Sequence, residues 1–177
     1  MPAPEAGFAL WFTGLPGAGK SALAEALAME LKERNLPVEI LDSDALRARL
    51  MPKAGYGDAA RDRFYDLIVF LAELLTRHGI NVLIAATAPR RAYRDAARAA
   101  LPRFAEVYVA CAPEVCRARD PKDLWARSDA GEIQNLPGAG AVYEAPPAPE
   151  FHVHSDRQSI EEELAALREG MAALGMI

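Results

Sequence analysis

The sequence predicts an α/β fold: a five-stranded parallel sheet with helices on both faces, in one domain spanning residues 1–177. Three observations carry this. Short apolar runs of strand length alternate with segments of helical period, the pattern of a parallel sheet buried on both faces. The first apolar run ends in a glycine-rich turn, Gly14-Leu15-Pro16-Gly17-Ala18-Gly19-Lys20-Ser21, which opens directly into a helical pattern. One long stretch, 120–149, has no clear period, yet the chain resumes a strand and a helix after it. A segment of that length inside a compact domain predicts a functional lid rather than a plain connection.

Phe8–Thr13 is apolar and short, and predicts a buried first strand. Ser21–Asn35 follows with Leu23, Leu27 and Leu31 four apart, an amphipathic helix that ends before Pro37. Val38–Leu41 predicts a second strand, followed by Asp42 and Asp44 and a short helix over Asp44–Leu50. Arg61–His78 carries Phe64, Leu67, Leu71, Leu74 and Leu75 on one stripe and closes on Gly79. Ile80–Ala86 predicts the third strand, Arg90–Leu101 an arginine-rich helix after Pro89, and Ala105–Ala110 the fourth strand. Pro113–Arg119 begins another helix before the lid, about 120–149. Glu150–His154 predicts the fifth strand and Ser159–Leu174 a closing helix. In such sheets ligands bind beyond the carboxyl ends of the strands. Gly14, Asp42, Ala86 and Cys111 all follow strands, which predicts that they share one edge.

Composition narrows the partners. A net charge of −5 with both signs interspersed leaves no broad basic field, so a nucleic-acid partner is not expected. No apolar stretch approaches membrane-spanning length and no leader-like segment stands out, which predicts a cytoplasmic protein without a membrane partner. The two cysteines, Cys111 and Cys116, lack metal-type companions and are expected to be reduced and buried.

The turn Gly14–Ser21 fits G-x-x-x-x-G-K-[ST], the P-loop, in its strand–loop–helix setting. Glycines let consecutive backbone N–H groups face phosphate oxygens, and the helix behind adds the positive end of its dipole. All eight residues are therefore candidate donor-nucleotide ligands. Lys20 can reach the β- and γ-phosphates and the Ser21 hydroxyl can ligate Mg²⁺. Asp42 and Asp44, at the end of the adjacent strand, can hold hydrated Mg²⁺ and orient an attacking hydroxyl. Either can equally serve as a helix N-cap. Arg47, Arg61, Arg90 and Arg91 lie near strand ends or helix starts, where they serve either an anionic ligand or a solvated face. The third strand runs into Thr87-Ala88-Pro89 with no acidic residue, which shifts any metal duty towards Ser21, Asp42 and solvent.

Beyond the loop, Leu41-Asp42-Ser43-Asp44-Ala45-Leu46-Arg47 resembles the L-D-G-D-x-x-R of adenylylsulfate (APS) kinases. Cys116-Arg117-Ala118-Arg119-Asp120-Pro121-Lys122, then Leu124-Trp125, Ala130-Gly131-Glu132-Ile133 and Tyr143-Glu144-Ala145-Pro146, is similar to that family's lid. The resemblance runs from the P-loop to the last strand. It implies a kinase that moves the γ-phosphoryl of ATP, with Mg²⁺, to the 3′-hydroxyl of adenylylsulfate, and it implies a homodimer by analogy. On this resemblance Asp44 is the acceptor-site carboxylate or base and Asp42 supports Mg²⁺. Arg47 and Arg61 hold the acceptor's charged groups and Tyr56 stacks on its adenine. Lys122 enters from the lid to neutralise transferring charge, and Arg119 packs near the donor base.

The sequence departs from the family pattern on the acceptor side. Ala60, Phe64 and Asp66-Leu67 stand where the pattern has an aspartate, an asparagine and a basic pair. Leu136-Pro137-Gly138-Ala139-Gly140 replaces F-T-G-I-D, which removes a second aromatic ring, and Thr87-Ala88-Pro89 replaces I-S-P. These changes keep two further readings open. One is a kinase for another nucleotide conjugate, such as a cytidine diphosphate derivative, or for a small metabolite. The other is a nucleotide-binding regulatory module without turnover.

Overall fold

The computed structural model describes residues 5–53, 55 and 57–177. Its strands are β1 (Ala9–Thr13), β2 (Val38–Asp42), β3 (Asn81–Ala85), β4 (Phe104–Ala110) and β5 (Phe151–His154), all parallel, in the order β2-β3-β1-β4-β5. Helices α1 (Lys20–Glu33), α2 (Ser43–Leu50), α3 (Asp58–Arg77), α4 (Arg91–Ala100), α5 (Pro113–Arg119), α6 (Leu124–Asp129) and α7 (Ile160–Ala173) connect them. The predicted class and strand count therefore hold.

The pleat sends alternate residues of each strand to opposite faces, and two cores result. Leu10, Phe12, Val107, Val109, Phe151 and Val153 meet α1 and α7 through Leu23, Leu27, Leu31, Leu164 and Leu167. Trp11, Val82, Ile84 and Phe104 meet α3 and α4 through Phe64, Ile68, Ala72, Tyr93 and Ala97. Burial on both faces explains why β1 and β3 read as near-continuous apolar runs, whereas the edge strands β2 and β5 expose Glu39 and His152. β1 lies at the centre, so the loop that leaves it emerges over the middle of the carboxyl edge.

Several boundaries move for local reasons. α2 begins at Ser43 because the Asp42 carboxylate accepts hydrogen bonds from the N–H groups of Asp44 (3.0 Å) and Ala45 (3.1 Å). α3 begins at Asp58, three residues before the predicted Arg61, after an extended Gly57. The lid contains α6, which the sequence did not predict. Asp120 accepts from the N–H groups of Trp125 (3.0 Å) and Ala126 (2.9 Å), and so starts that helix from outside it. Cys116 is buried as expected, whereas Cys111 is only half-buried because it lies just past the end of β4. Among the described residues, no helix is long and apolar enough to cross a membrane.

Candidate active site

The P-loop residues Gly14–Ser21 bridge β1 and α1, over the carboxyl edge of the sheet. Gly17 has φ 84°, and a Cβ there would lie 2.7 Å from the carbonyl oxygen of Cys116. The loop therefore packs against α5 only because this position is glycine. The Ser155 hydroxyl holds it from the other side by donating to the Ala18 carbonyl at 2.7 Å. Lys20 Nζ donates to the carbonyls of Gly14 (3.0 Å) and Leu15 (2.8 Å). Burial lowers the Lys20 pKa to about 8, against the raising influence of Asp44, Cys116 and Asp42.

A cavity of about 430 Å³ opens above the loop, lined by Gly17, Gly19, Lys20, Ser21, Asp42, Asp44, Thr87, Arg119 and Lys122 among others. A second cavity of about 350 Å³ adjoins it, lined by Asp44, Arg47, Arg61, Phe64, Tyr65, Pro89, Leu124, Leu136 and others. Asp44 and Thr87 line both, so they stand at the junction. Of the predicted donor residues, Pro16, Gly17, Gly19, Lys20, Ser21 and Arg119 line the first chamber; of the predicted acceptor residues, Asp44, Arg47 and Arg61 line the second, whereas Lys122 lines the first.

At the first chamber the Ser21 hydroxyl donates to Asp42 Oδ2 at 2.7 Å. Burial pushes the Asp42 carboxyl up, but the Ser21 hydroxyl, the Ala45 and Asp44 N–H groups and the Lys122 charge together hold it below its ordinary range. Asp42 therefore caps the helix while presenting an ionised carboxylate to the Ser21 hydroxyl. Ser21 and Asp42 suit a hard divalent cation such as Mg²⁺. Among the described residues, no three His, Cys, Asp or Glu side chains converge on one point. Phosphate oxygens and water can supply further ligands of such an ion.

Lys122, from the lid, donates to Asp44 Oδ2; burial lowers the lysine pKa, but this bond together with the charges of Asp44, Asp42 and Glu25 raises it above its ordinary value. Arg119 donates to the Ser155 carbonyl (2.6 Å) and hydroxyl (3.2 Å), which ties α5 to the loop after β5 beside the first chamber. Arg61 crosses the second chamber to the Asn135 carbonyl of the lid at 2.6 Å. Arg47 is buried, with its guanidinium 4.0 Å from the Phe64 ring centroid. One of the departures from the family pattern therefore supports an arginine that belongs to it. Tyr56 lies outside the described residues. Arg90 turns away from both chambers to pair with Asp58 (2.6 Å) and Asp62 (3.5 Å). Arg91 starts α4, where its backbone N–H donates to Glu144 Oε2 at 2.6 Å.

The lid is docked rather than loose. Trp125 is buried, and its indole N–H donates to the Pro16 carbonyl at 2.9 Å. Gly138 has φ 92°, and a Cβ there would sit 2.8 Å from the Leu15 side chain. Sequence reasoning had Trp125 only as part of the lid motif, without its docking on Pro16, and missed Tyr65 and the buried pair Arg94–Glu106. The last carried a signal, since Glu106 is the one charge inside the apolar run Phe104–Ala110.

Because Lys20 has a pKa near 8, ATP binding should take up protons. A triphosphate beside the ammonium raises its pKa again. Uptake is expected to be near zero below pH 7, about half a proton at pH 8, and larger at pH 9. Calorimetry of ATP binding in buffers of different ionisation enthalpy measures this. Uptake that stays flat across that range would contradict it.

The sequence profile of the adenylylsulphate kinase family matches residues 6–154. An adenylyl-sulfate kinase of Gloeothece citriformis is 39% identical over 171 residues, 97% of this chain and 97% of that protein. The solved structure of the Mycobacterium tuberculosis APS kinase in complex with AMPPNP and APS superposes with a TM-score of 0.90 at 32% identity. That match covers 96% of this chain and 99% of the other. The hexameric APS kinase of Thiobacillus denitrificans matches with a TM-score of 0.73 at 29% identity, over 99% of this chain and 31% of that one.

Proposed function

This chain belongs to the adenylylsulphate kinase family, and on that premise we propose that it transfers the γ-phosphoryl group of ATP to the 3′-hydroxyl of adenylylsulfate. The product is 3′-phosphoadenylylsulfate and ADP. The observation that carries the reading is the pair of adjoining cavities with Asp44 at their junction and Lys122 bound to it.

The backbone N–H groups of the P-loop and Lys20 hold the donor phosphates, and Arg119 packs beside the donor base. Ser21 and Asp42 would hold Mg²⁺, which would supply neutralisation of the phosphate charge. Asp44 accepts the proton of the acceptor hydroxyl, which frees Lys122 to stabilise charge on the phosphoryl group in flight. Arg47 and Arg61 hold the acceptor's anionic groups. The docked lid excludes water, which would otherwise compete with the acceptor hydroxyl. A cytoplasmic homodimer belongs to the same reading.

Phe64 and Leu136 line the acceptor chamber where the family pattern has asparagine and phenylalanine, and they favour a second reading, a different nucleotide conjugate as acceptor. A coupled ADP-release assay decides. Adenylylsulfate should support turnover well above cytidine diphosphate conjugates and unmodified nucleotides. Faster turnover with a cytidine conjugate would transfer the assignment to that substrate. Failure of every acceptor tested to give ADP would leave a nucleotide-binding module.

A further inference from the structure

Arg94 is 1% exposed, yet it lies on α4 outside the residues discussed so far as ligands. All three guanidinium nitrogens are used. Nε binds the Glu106 carboxylate on β4, Nη1 donates to the Ala88 carbonyl, and Nη2 donates to the Glu144 carbonyl at 2.5 Å. Those partners belong to three separate pieces: the sheet, the loop after β3 and the C-terminal root of the lid. We propose that Arg94 is a positioning residue that fixes the lid root against the loop Thr87–Pro89, and thereby sets the wall of the acceptor chamber. This rests on the kinase reading above.

The loop it holds is strained and in the right place. Ala88 has φ 42°, uncommon for a residue other than glycine, so its surroundings must hold it there. Its N–H donates to the Tyr65 hydroxyl at 3.0 Å, and its carbonyl is the one that Arg94 binds. On either side of Ala88, Thr87 lines both chambers and Pro89 lines the acceptor chamber. The lid root follows the same loop closely. Glu144 N–H donates to the Pro89 carbonyl at 2.8 Å, and Glu144 Oε2 accepts from the Arg91 N–H at 2.6 Å. The Tyr143 hydroxyl meets the Thr13 hydroxyl at 3.0 Å, and Thr13 donates in turn to the Thr87 carbonyl at 2.7 Å.

A buried ion pair is a poor way to gain stability alone, since apolar side chains of the same volume serve a core as well. What the planar guanidinium adds is direction: three bonds from one fork to three segments. Lysine keeps the charge and can hold Glu106 but cannot also span both carbonyls. The effect should fall chiefly on the acceptor, because the bonds of Arg94 go to Glu106, Ala88 and Glu144 and none goes to Gly14–Ser21, which meets this region only through Thr13 at the end of β1.

The test uses the full chain with Arg94→Lys and, separately, Glu106→Gln. In Arg94→Lys, KM for adenylylsulfate should rise about tenfold while KM for ATP stays within about twofold. ADP release should exceed acceptor phosphorylated. Amide exchange over 142–146, measured without nucleotide, should speed up by about tenfold or more. Glu106→Gln keeps the shape and a hydrogen-bond acceptor, so it should fold and show the same changes to a smaller extent. It decides the matter if Arg94→Lys does not fold. Equal changes in both KM values, or unchanged KM values with unchanged exchange, overturn the proposal and leave a core ion pair. Should the wild-type protein bind ATP yet phosphorylate no adenylylsulfate, the acceptor assignment fails on its own. The exchange comparison still decides the clamp.

Discussion

Lys20→Ala should reduce kcat by about a thousandfold or more. Phosphoryl transfer leaves little covalent chemistry for the enzyme, so its rate rests on placing charge where the transition state develops it. Lys20 is the cation at the floor of the donor chamber. Its two described side-chain bonds, to the Gly14 and Leu15 carbonyls, are ones a triphosphate can replace at little cost. The folded state should tolerate the change. Alanine is a good residue for the first turn of α1, and removal of a partly buried cation lifts a desolvation cost that already holds the pKa near 8. Thermal unfolding should therefore stay within a few degrees of wild type while turnover is lost. Lys20→Arg should lie between the two, because it keeps the charge in a longer and less compact form. Turnover within tenfold of wild type in Lys20→Ala would mean that the loop does not carry the donor phosphates.

The fold and the donor half of the site were legible for the same reason: they are written in short-range patterns. Leu23, Leu27 and Leu31 repeat at helical spacing because α1 presents one face to the sheet. The P-loop is contiguous in sequence because its anion site is made of consecutive N–H groups. Asp42 and Asp44 could be singled out as candidate ligands, although not the manner in which Asp42 combines its cap and its bond to Ser21. What escaped depends on distant partners. α6 has too few residues to show a period, and it forms because Asp120 caps it and Trp125 docks on Pro16. Arg94 sits on a helix rich in arginines, where most such side chains face water; only Glu106, twelve positions along, makes it a buried pair. Arg90 shows the opposite outcome, a candidate ligand that proves to be a partner of Asp58. Phe64 was read both as an apolar-stripe residue and as a break in the family pattern. In space it is both, a core residue and the surface on which Arg47 rests.

Asp44→Asn should lower kcat by about two to four orders of magnitude and leave KM for ATP within about threefold. Asp44 lies at the junction of the chambers, where a proton must leave the acceptor hydroxyl as the phosphoryl group arrives. Asparagine fills the same space and keeps one oxygen, so it does not disturb the donor phosphates, which rest on Lys20 and the loop. It cannot accept the proton. The substitution also removes the ion pair with Lys122, and that loss has to be separated from the chemistry. The pair is about half exposed on each side, 50% for Lys122 and 58% for Asp44. Its contribution to stability is therefore at most about 1 kcal/mol, and unfolding should barely shift. Lys122→Met isolates the anchoring role. If Asp44 acted only by holding Lys122, the two single variants would lose the same amount and the double variant would lose no more. If Asp44 handles the proton while Lys122 stabilises transferred charge, Asp44→Asn falls further than Lys122→Met, and the double variant falls below both. A loss confined to KM for ATP would instead place Asp44 on the donor side. The cycle thus assigns each of the two residues bridging lid and sheet to its own part of the reaction.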